Sequence, residues 1–463
     1  MTTIFLTCFQ AVEVKNLLRT EVAAALLSRK DARIIALVRN EERAAYYTRE
    51  LPIEGVTYAV CDPAPHGALE RLMSFLKFHL IRTRTTDLRR RGHYLESRNA
   101  FAYYAGSLLN RLIVHSFVRR LLRRLDTAFV GDSGCGALFE KYQPSVVVLA
   151  NLFDDGEVAL LRDARRRGVP TVGFINTWDK LTARASLRLL SDRILVYNEI
   201  VRDEAERFAD MPREHTSIVG VPQYDIYFTN KPMSREAFLR SIGSDPTKRL
   251  VLFAPMGTAF SKYDWYAIDL LYDLIEQQKQ IPNAELFVRF QPNYFVDRQE
   301  IEKRPWLRYD LPGLRFGSER GGDWDMTRED AERLRDTLAH ASLVISYASS
   351  IGIDAALMGR PVININFEIG ESIGRVPSLR SPTFYYGTEH YRKALATGGI
   401  RLVGSVEELV EWTRRYLDNH ELDRDGRERL VREQCAFMDG KAGERIAHAI
   451  FERVALHYQS AAV

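Results

Sequence analysis

Long hydrophobic runs are missing from this 463-residue sequence. No window reaches the roughly 18 consecutive uncharged apolar residues that a membrane-spanning helix needs. The first ten residues, MTTIFLTCFQ, also lack the basic segment and the long apolar core of a secretory signal peptide. The sequence therefore predicts a cytoplasmic protein whose mature chain begins near Met1. Its length predicts two domains, because a single hydrophobic core stops growing well before this size.

Cysteine is scarce as well. The four cysteines are far apart and form no C-x-x-C pair. This spacing argues against a disulfide framework and against a metal cluster. The sequence predicts buried, reduced thiols at Cys8, Cys61, Cys135 and Cys435.

Two phosphate-binding motifs are absent. No G-x-G-x-x-G follows the first apolar run, and no G-x-x-x-x-G-K-[ST] occurs anywhere in the chain. Because dinucleotide-dependent dehydrogenases and P-loop enzymes hold phosphate with these loops, both classes are disfavoured. A phosphate site in this protein must be built in another way.

Short apolar runs alternate with helical stretches along most of the chain. This alternation indicates an α/β fold with doubly wound parallel sheets. A break rich in Gly, Pro and Asn near residues 222–246 separates two such series. The predicted organisation is an N-terminal domain over 1–230 with a helical insert at about 63–126, a C-terminal domain over 231–440, and a C-terminal helix over 441–463.

The formal net charge of +4 hides one strongly basic segment. Residues 82–125 contain eleven arginines against two acidic residues, a local balance of +9 that leaves −5 for the rest of the chain. Such a segment indicates an anionic neighbour. Apolar residues recur in it at steps of three or four and predict one amphipathic helix: Leu109, Leu112, Ile113, Phe117, Leu121 and Leu125.

Two interpretations of this insert stay open. The first is a helix packed on the core with a solvated basic face. The second is peripheral contact with an anionic membrane through the Arg82 to Arg124 region. Nucleic acid is not an expected partner, because the chain has no recognisable nucleic-acid module.

Residues 342–365 read as one β-turn-α-turn-β unit. An apolar run ends in small polar residues, a helix opens at Ser349 and Ser350, and a Gly-x-Pro turn leads into another apolar run. Hydroxyls and backbone N–H groups at such a helix N-terminus stabilise an anion such as phosphate. The alternative is that Ser349 only caps the helix.

Ligands of open α/β sheets bind beyond the carboxyl ends of the strands. In the C-terminal domain these positions carry glycine, hydroxyls, amides and one arginine, which suits a nucleotide monophosphate or diphosphate. Arg289 is predicted to bind phosphate, with a buried carboxylate as its alternative partner. The predicted donor-binding residues are Gly257, Thr258, Arg289, Gln291, Asn293, Ser346, Ser349 and Ser350.

An acidic pair follows a predicted strand of the N-terminal domain and opens a helix. Acidic residues there are either N-caps or candidates for the general base that deprotonates an attacking hydroxyl. Asp155 is the predicted base, and Asp154 beside it would help to tune its pKa. Asp179, which follows the next predicted strand, is the second candidate.

Four segments are similar to signatures of bacterial surface-polysaccharide enzymes: NTWDKLTA, RILVYNEIVRDEA, IVGVPQYD and DGKAGERIA. From about residue 145 onward the chain resembles the GT-B glycosyltransferases and, within them, the CDP-glycerol glycerophosphotransferase-like group. The resemblance implies two Rossmann-like domains facing across a cleft. It also implies an N-terminal acceptor domain and a C-terminal domain that holds the nucleotide-activated donor.

Bacterial sialyltransferases of the same fold share an acidic pair plus Gly, a His-Pro, and a pair of hydroxyl residues. The chain is similar at Asp154-Asp155-Gly156 and at Ser349-Ser350, which implies a base at Asp155 and phosphate ligands at the two serines. Gln291-Pro292 stands where His-Pro would be. Glutamine cannot act as a general acid near neutral pH, so this departure argues against leaving-group protonation here and against a CMP-activated donor.

His390 is the third catalytic candidate. It is predicted to lie on a loop beyond the last core strand, where the related group often has a cleft-facing histidine; a surface residue is the alternative. Asp323-Trp324-Asp325 and Asp423-Arg424-Asp425 have the D-x-D form, but neither follows a predicted core strand. Because most GT-B members use no catalytic metal, we expect neither a metal nor a cofactor besides the nucleotide-activated substrate.

The leading prediction is a glycosyltransferase that moves a sugar from a nucleotide-activated donor to a hydroxyl of a bacterial surface glycan, of the capsule, O-antigen or lipopolysaccharide type. Transfer of glycerol phosphate from CDP-glycerol is a close variant. A sugar-nucleotide 2-epimerase and a non-catalytic GT-B-like binding protein are the alternatives from other classes. The expected partners are the donor, a glycan or lipid-linked acceptor, and the inner face of the cytoplasmic membrane as a peripheral contact.

Overall fold

The computed structural model of the protein describes residues 1–63, 67–257, 260–261, 263–293, 296–317, 324–370, 379 and 381–461. The chain forms two compact units. The first unit comprises Met1–Arg90, Asn99–Asp225 and Cys435–Val463; the second comprises Arg91–Arg98 and Ile226–Gln434. The C-terminal helix, which the sequence analysis set apart, thus belongs to the first unit.

The strands of the first unit are β1 Thr2–Thr7, β2 Ala32–Val38, β3 Val56–Val60, β4 Val146–Leu149, β5 Thr171–Phe174, β6 Arg193–Val196 and β7 Thr216–Ile218. Within the described residues they form one sheet in the order β3-β2-β1-β4-β5-β6-β7. Every neighbouring pair is parallel. The central strands are mostly Val, Ile and Leu and are buried. This is the composition of a parallel sheet that is covered on both faces.

The strands of the second unit are β8 Arg249–Ala254, β9 Ala284–Arg289, β10 Tyr309–Asp310, β11 Leu314–Arg315, β12 Trp324–Asp325, β13 Ala341–Ser346, β14 Val362–Ile365 and β15 Arg401–Val403. In the part of the chain that the structure describes, the main sheet is parallel in the order β10-β9-β8-β13-β14-β15. The prediction of two parallel α/β sheets is confirmed. The strand β11 lies apart from the main sheet, because it is exposed and pairs with β12 in antiparallel fashion.

The helices are α1 Ala11–Leu17, α2 Glu21–Leu27, α3 Glu41–Glu50, α4 Ala68–Leu76, α5 Arg84–Ser97, α6 Ala100–Ile113, α7 Ser116–Phe129, α8 Gly136–Tyr142, α9 Asp155–Arg166, α10 Lys180–Ala183, α11 Glu199–Ala209, α12 Ile226–Thr229, α13 Arg235–Ser241, α14 Asp264–Tyr272, α15 Arg298–Glu302, α16 Arg328–His340, α17 Ile351–Leu357, α18 Glu389–Leu395, α19 Val406–Asp418, α20 Arg424–Cys435 and α21 Ala442–Ala461. A π-helical turn, Asp273–Gln277, continues α14. Many helices begin at a side-chain cap, as at Asn40, Asn198, Thr327 and Ser405. Such caps satisfy backbone N–H groups that would otherwise lack partners.

The insert is helical, but its helices differ from the prediction. The prediction of a single helix over 109–125 is wrong. Helix α6 ends before Val114, and His115, whose backbone is extended, precedes the start of α7. The predicted apolar stripe also faces outward at Leu112, Phe117 and Leu121, which are exposed. Packing of these side chains on the core is therefore excluded.

Buried ion pairs join the insert to the rest of the first unit. Arg162 of α9 and Arg188 both bind the Asp126 carboxylate of α7, at 2.6 and 2.8 Å. Arg188 also binds Glu70 of α4 at 3.1 Å. A second group pairs Arg119 and Arg123 of α7 with Asp210. The charged sides of α4 and α7 thus face inward, where carboxylates and arginines neutralise one another.

The prediction of four reduced thiols is wrong at one pair. Cys61, directly after β3, and Cys135, directly before α8, form a disulfide with their Cα atoms 6.0 Å apart. They are separated by 74 residues in sequence, and only the fold brings them together. Cys8 and Cys435 are buried thiols, as expected.

The sequence indicated neither a membrane-spanning helix nor a metal cluster, and the described residues can be searched for both. Their helices include none that is both long and apolar enough to cross a membrane. Their His, Cys, Asp and Glu side chains form no group of three or more arranged to hold a metal ion. Asp323, in the first D-x-D segment, lies outside the described residues.

Candidate active site

A cluster of buried ionisable side chains lies at the carboxyl edge of the first sheet. Glu13 lies in α1 just after β1, Glu157 in the first turn of α9 after β4, and Lys180 at the start of α10 after β5. The two glutamates are completely buried. Because the carboxyl ends of parallel strands meet at one edge, these three side chains lie together where ligands of open α/β sheets bind.

Glu13 fixes the loop that follows β1. Its Oε2 accepts hydrogen bonds from the N–H groups of Phe9 at 2.7 Å and Gln10 at 2.9 Å. Its Oε1 has no hydrogen-bond partner among the described residues. Burial and the charge of Asp154 raise the pKa of Glu13 to about 7, against the opposing effects of the Gln10 N–H and Lys180. A carboxyl group with this pKa exchanges a proton near neutral pH.

Glu157 does the same for the loop after β4. Its Oε2 accepts a hydrogen bond from the Asn151 N–H at 2.8 Å. Burial, and then the charges of Glu13 and Asp154, raise the pKa of Glu157 well above its usual range. Two neighbouring buried carboxyl groups therefore retain protons that exposed ones would release.

Lys180 links the loops after β4 and β5. Its Nζ donates hydrogen bonds to Oδ1 of Asn151 at 2.7 Å and of Asn176 at 2.6 Å. Burial lowers the pKa of Lys180, although the charges of Glu13 and Asp179 oppose that change. Lys180 is thus the cation of a cluster that contains several acids. Its two hydrogen bonds also hold the loop after β4 beside the loop after β5.

Asp154 is the N-cap of α9. Its Oδ1 accepts hydrogen bonds from the N–H groups of Gly156 at 2.9 Å and Glu157 at 3.3 Å. Both of its carboxylate oxygens also bind one nitrogen of the Arg39 guanidinium at 2.9 Å. These contacts match the capping interpretation that the sequence left open.

Asp155 lies between two cations. Its Oδ1 is 2.9 Å from Nζ of Lys77 and 2.8 Å from a guanidinium nitrogen of Arg188. Burial alone would raise the pKa of Asp155, but the two ion pairs outweigh it and lower the pKa. Lys77 belongs to the insert, and Arg188 contacts Glu70 of α4 and Asp126 of α7 within the insert. The two ion pairs and the lowered pKa make Asp155 a weak base in this geometry, and its catalytic role stays a prediction.

Asp179 lies beyond β5, immediately before Lys180, and is half-buried. Its Oδ1 accepts a hydrogen bond from the Thr177 hydroxyl at 2.7 Å, and its backbone carbonyl begins the short helix α10. Its side chain does not cap that helix. Asp179 is thus a half-buried acidic residue next in sequence to the lysine of the buried cluster.

The carboxyl edge of the second sheet begins with Gly257 after β8. Its φ of +89° favours glycine, and its N–H donates to Oδ2 of the buried Asp264 at 2.7 Å. Burial raises the pKa of Asp264 to about 6. Thr258, a predicted donor ligand, lies outside the described residues.

Arg289, at the end of β9, is buried and pairs with Asp310 of β10. A second nitrogen donates to the Asp330 carbonyl at 3.0 Å. Its described contacts are therefore those of the alternative stated from the sequence, a partner for a buried carboxylate. In this arrangement the guanidinium is committed within the second unit.

Gln291 and Asn293 follow β9 and are half-buried. Nε2 of Gln291 donates a long hydrogen bond of 3.5 Å to the Pro255 carbonyl. This contact orients the amide toward the loop after β8. Both amides remain at the edge where the sequence predicted donor contacts.

Ser346 belongs to a buried neutral network at the centre of this edge. Its hydroxyl contacts the Tyr347 carbonyl at 3.2 Å and Oδ1 of Asn364 at 3.4 Å. Nδ2 of Asn364 donates to the Tyr347 carbonyl at 2.7 Å and to the Tyr391 hydroxyl at 2.5 Å. Ser346 is completely buried. Its hydroxyl connects residues within this network and is not exposed to solvent.

Ser349 and Ser350 are the accessible hydroxyls of this edge. Ser349 is half-buried and its Oγ accepts a 3.5 Å hydrogen bond from the Ile351 N–H. Ser350 is exposed, occupies the N-cap position of α17, and makes no side-chain cap hydrogen bond. The predicted strand-turn-helix-strand unit is confirmed by β13, α17 and β14.

His390 is not on a loop beyond the last core strand, so that prediction is wrong. It lies in the first turn of α18, and β15 follows it in the same sheet. Its ring packs edge-to-face on Tyr391, with centroids 6.4 Å apart. The strand β15 has only three residues, too few for its pattern to be recognised from sequence.

Sequence reasoning missed the ionisable cluster as a unit. Glu13 was not among the candidate residues, and Lys180 appeared only within the segment NTWDKLTA. One signal was available: Glu13 stands in AVEVKNLL, where its neighbours at both sides are apolar. An acid in such a position is buried more often than one in a polar stretch, and a buried acid needs polar partners.

With this geometry described, the chain can be compared with known proteins. Residues 184–452, more than half of the chain, match the family described as CDP-glycerol:poly(glycerophosphate) glycerophosphotransferase. No curated protein matches the chain in sequence.

Solved structures with the same fold include a UDP-GlcNAc 2-epimerase from Neisseria meningitidis bound to UDP-GlcNAc, with a TM-score of 0.55, 10% identity, and coverage of 98% of this chain and 100% of the other. They also include S. aureus MnaA with UDP, with a TM-score of 0.53, 12% identity and 98% coverage of both chains. A third is a variant of the wall teichoic acid polymerase TagF with CDPG, with a TM-score of 0.51, 10% identity and coverage of 99% of this chain and 89% of the other. At these identities the likeness shows the fold, which is the GT-B type.

Proposed function

Because the chain belongs to the CDP-glycerol:poly(glycerophosphate) glycerophosphotransferase family, we propose that this GT-B transferase moves glycerol phosphate from CDP-glycerol to a hydroxyl of a bacterial surface polymer. The observation that carries the proposal is the family match over residues 184–452. That range includes all strands of the second sheet and the whole of its carboxyl edge.

The chemistry of this reaction is a phosphoryl transfer. The acceptor oxygen forms a bond to the phosphorus that carries glycerol, the bond from that phosphorus to the CMP oxygen breaks, and the hydroxyl proton passes to a base. Charge builds on the phosphate oxygens, so the protein contributes mainly position and hydrogen-bond donors.

We propose that the donor binds at the carboxyl edge of the second sheet. The hydroxyls of Ser349 and Ser350 and the amides of Gln291 and Asn293 are groups that bind phosphate and ribose. Gly257, whose N–H is taken by Asp264, would let the donor approach the backbone closely. Asp264 supports this assignment, because it holds the Gly257 N–H and thereby fixes the turn. Arg289 and Ser346 would support this site without contacting the donor, since both are buried and bonded to other residues of the second unit.

We propose Asp179 as the base that receives the acceptor proton. Asp155, the leading candidate from sequence, is held by Lys77 and Arg188, and its lowered pKa makes it a poor proton acceptor. Asp154 is occupied by its capping role and by Arg39. Asp179 lies at the carboxyl edge of the first sheet and is half-buried, and its Oδ1 accepts a hydrogen bond from the Thr177 hydroxyl. His390, in the first turn of α18 beside Tyr391, stays the third catalytic candidate.

Sugar transfer from a nucleotide-activated donor is the second candidate. The observation that favours it is the paired similarity at Asp154-Asp155-Gly156 and Ser349-Ser350 to sugar-transferring enzymes. It ranks second because the acidic half of that pair serves as a helix cap and an ion-pair anchor here. For a glycan of the capsule, O-antigen or lipopolysaccharide type, the acceptor would be lipid-linked and peripheral membrane contact would be needed.

The test compares donors. The purified full-length chain is incubated with CDP-glycerol, UDP-GlcNAc, GDP-mannose or CMP-sialic acid and with a lipid-linked polymer acceptor, and product mass is measured. We expect a mass increase of glycerol phosphate with CDP-glycerol only, and a rise in melting temperature with CDP-glycerol and CMP. Transfer of a sugar would establish the second candidate instead. Conversion of a sugar nucleotide without any acceptor would identify an epimerase, and nucleotide binding without turnover would identify a binding protein.

A further inference from the structure

Three arginines lie at the amino edge of the second sheet, the edge opposite the proposed donor site. Arg235 donates hydrogen bonds to the carbonyl of Lys248, directly before β8, at 2.7 Å and to that of His340, directly before β13, at 2.8 Å. Arg360 lies two residues before β14, and Arg427 lies against the turn that leads into β15. Because these four strands are parallel neighbours in the order β8-β13-β14-β15, their amino ends meet at one edge, and the three arginines follow one another along it.

None of these arginines pairs with a carboxylate among the described residues. Arg235 and Arg427 bind backbone carbonyls, which for Arg427 are those of His420 and Leu422. The guanidinium of Arg360 has no hydrogen bond or ion pair to any described residue, and its Nε is buried. An unpartnered buried N–H group costs free energy, so such groups are rare in folded proteins. Arg360 therefore points to an acceptor that the described residues do not supply.

The carboxylates closest to this row are engaged elsewhere. Two of them act on Arg427 through their charge, and both are bound by other arginines. Asp423 pairs with Arg401 at 2.6 Å, and Glu421 pairs with Arg424 at 2.9 Å. Arg427 itself is buried and forms an ion pair with neither of them. The positive charge of the row is thus not neutralised within the described part of this unit.

The three positive charges also act on one another. Burial lowers the pKa of Arg360, and the charges of Arg235 and Arg427 lower it further, with no described carboxylate acting in the opposite direction. Like charges held together cost free energy, which an anion bound between them offsets. Arg235 and Arg360 are only half-buried, so the row borders solvent and an anion can approach it.

A phosphate group is the anion that fits these donors. A guanidinium carries five N–H groups in a rigid fork that matches two phosphate oxygens at once. Arg235 and Arg427 each use two of these groups on carbonyls, so donors remain on all three side chains. Three positive charges also attract the double charge of a phosphate more strongly than the single charge of a carboxylate.

We propose that Arg235, Arg360 and Arg427 form a phosphate-binding site at the amino edge of the second sheet, separate from the donor site at its carboxyl edge. The six residues of β13 span roughly 20 Å between the two edges, so one phosphate group cannot contact both. Two sources offer this chemistry: a free phosphate or phosphomonoester, and the phosphodiester chain of a polymer. The site does not depend on the proposed function, which concerns the other edge.

The test is calorimetric titration of the full-length chain with inorganic phosphate, at an ionic strength held constant with sodium chloride. Arg360→Met removes the guanidinium and keeps an unbranched apolar stem. It should weaken phosphate binding by about tenfold or more, the effect of losing a charged hydrogen-bonding partner. Arg360→Lys keeps the charge without the fork, so its affinity should lie between those of the wild type and Arg360→Met. Phosphate bound at the carboxyl edge would not respond to these variants.

The matched control is Arg249→Met, which removes the same charge from the same edge. Arg249 is the first residue of β8, pairs with Asp418, and binds the carbonyls of Pro282 and Leu417. This variant should keep its phosphate affinity within about twofold, because salt screens charges that do not contact the ligand. Thermal melting without phosphate separates the two arginines further. Arg360→Met should melt at or above the wild-type temperature, since it relieves repulsion and breaks no ion pair, whereas Arg249→Met should melt lower.

Two further ligands identify the source of the phosphate. Glycerol 3-phosphate presents one phosphomonoester, and a short poly(glycerol phosphate) presents several phosphodiesters. Binding of the polymer that is about tenfold tighter than that of inorganic phosphate, and that Arg360→Met weakens, would assign the site to a polymer, because linked groups raise the effective concentration. Equal affinity per phosphate group would assign it to a free phosphate or phosphomonoester.

Three results would overturn the proposal. The first is wild-type protein that shows no phosphate binding. The second is an Arg360→Met variant that binds phosphate as the wild type does; together with a lower melting temperature, it would give Arg360 a purely structural role. The third is an equal loss of affinity in Arg249→Met, which would mean that the general charge of this unit attracts phosphate without a defined site.

Discussion

The carboxyl edges of the two sheets are built from different chemistry. At the centre of the first edge, Glu13, Glu157 and Lys180 share one buried electrostatic environment. At the centre of the second, Ser346, Asn364 and Tyr391 form a neutral hydrogen-bond network. Both edges belong to parallel sheets of the same kind, so the fold does not dictate the difference. An ionisable cluster responds to pH and suits proton handling, whereas a neutral network gives a fixed set of donors and acceptors and suits ligand binding.

The largest expected effect tests whether proton transfer belongs to the first edge. Asp179→Asn removes the proposed proton acceptor while it keeps the size of the side chain. We expect kcat to fall by about 10²–10⁴-fold, the usual contribution of a general base, with little change in KM for CDP-glycerol. Steady-state kinetics of glycerol phosphate transfer measure both constants.

The control for this variant is Asp155→Asn. It breaks the contact with Lys77 and Arg188, so we expect a lower melting temperature but a kcat close to that of the wild type. The reverse pattern, an active Asp179→Asn and an inactive but folded Asp155→Asn, would return the catalytic role to Asp155.

The second prediction breaks the cluster itself. Lys180→Met removes the cation that lies beside the buried Glu13 and Glu157. It also leaves Oδ1 of Asn151 and Oδ1 of Asn176 without the hydrogen bonds that the lysine donates. The expected loss is about 3 kcal/mol in the free energy of unfolding at pH 8, since an uncompensated buried charge is costly. The loss should be smaller at pH 5, where the glutamates are protonated. Urea unfolding at both pH values measures it.

Its counterpart in the second unit is Lys248→Met. Lys248 pairs with Glu285 at 2.9 Å but is 41% exposed. Because the lysine is exposed and the buried Glu285 carboxylate keeps hydrogen bonds from the Ser244 hydroxyl and the Asp245 N–H, this variant should lose only about 0.2–1 kcal/mol. Equal losses in the two variants would mean that Lys180 is solvated in solution, and the contrast between the units would then fail.

Much of this architecture could be predicted from the sequence, and the reason lies in strand composition. Short apolar runs such as ARIIALV in the first sheet and RLVLFA in the second are typical of buried strands, so both sheets could be anticipated. The strands β7, β10 and β15 could not, because two or three residues carry no periodicity. They are defined by neighbours in the sheet, which a local pattern does not contain.

The orientation of the insert could not be read from periodicity either. Steps of three or four, as from Leu109 to Leu112 and from Phe117 to Leu121, predict an apolar stripe, but this pattern does not say whether the stripe faces the core or solvent. The answer lies in Glu70 and Asp126, whose arginine partners are distant in sequence. Asp155 looked like a base for the same reason, because the cations that hold it come from separate segments of the chain.

The third prediction concerns pH. The pKa of Glu13 is about 7 in the folded protein, above its usual value, so the folded state binds its proton more tightly than the unfolded state does. The stability that follows is complete below the unfolded pKa and is lost as pH rises through about 7. Glu13→Gln removes this titration. The variant should be more stable than the wild type at pH 8 by about 1–2 kcal/mol, and its stability should change less between pH 5 and pH 8.

Glu285→Gln is the matched control for this slope. Burial alone would raise the pKa of Glu285, but hydrogen bonds from Ser244, Lys248 and Asp245 outweigh it and lower the pKa. Its stabilising effect is therefore present at neutral pH and is lost as pH falls below its usual pKa. Removing it should destabilise the protein at pH 7 and leave the slope between pH 6 and pH 8 unchanged. A Glu13→Gln variant with the wild-type slope would show that another group carries the titration.

The smallest expected effect tests whether the second edge binds without handling protons. Ser349→Ala and Ser350→Ala each remove one hydroxyl, and because water can replace it at the phosphate, the net contribution of its hydrogen bond is about 0.5–1.5 kcal/mol. We expect KM for CDP-glycerol to rise by about two- to tenfold in each, with kcat and its pH profile unchanged. Ser346→Ala is the control, because its hydroxyl is buried against Asn364 and its loss should lower stability rather than raise KM. A shifted pH profile in either accessible-serine variant would mean that the neutral edge takes part in proton transfer, and the two edges would then have to be treated as one coupled system.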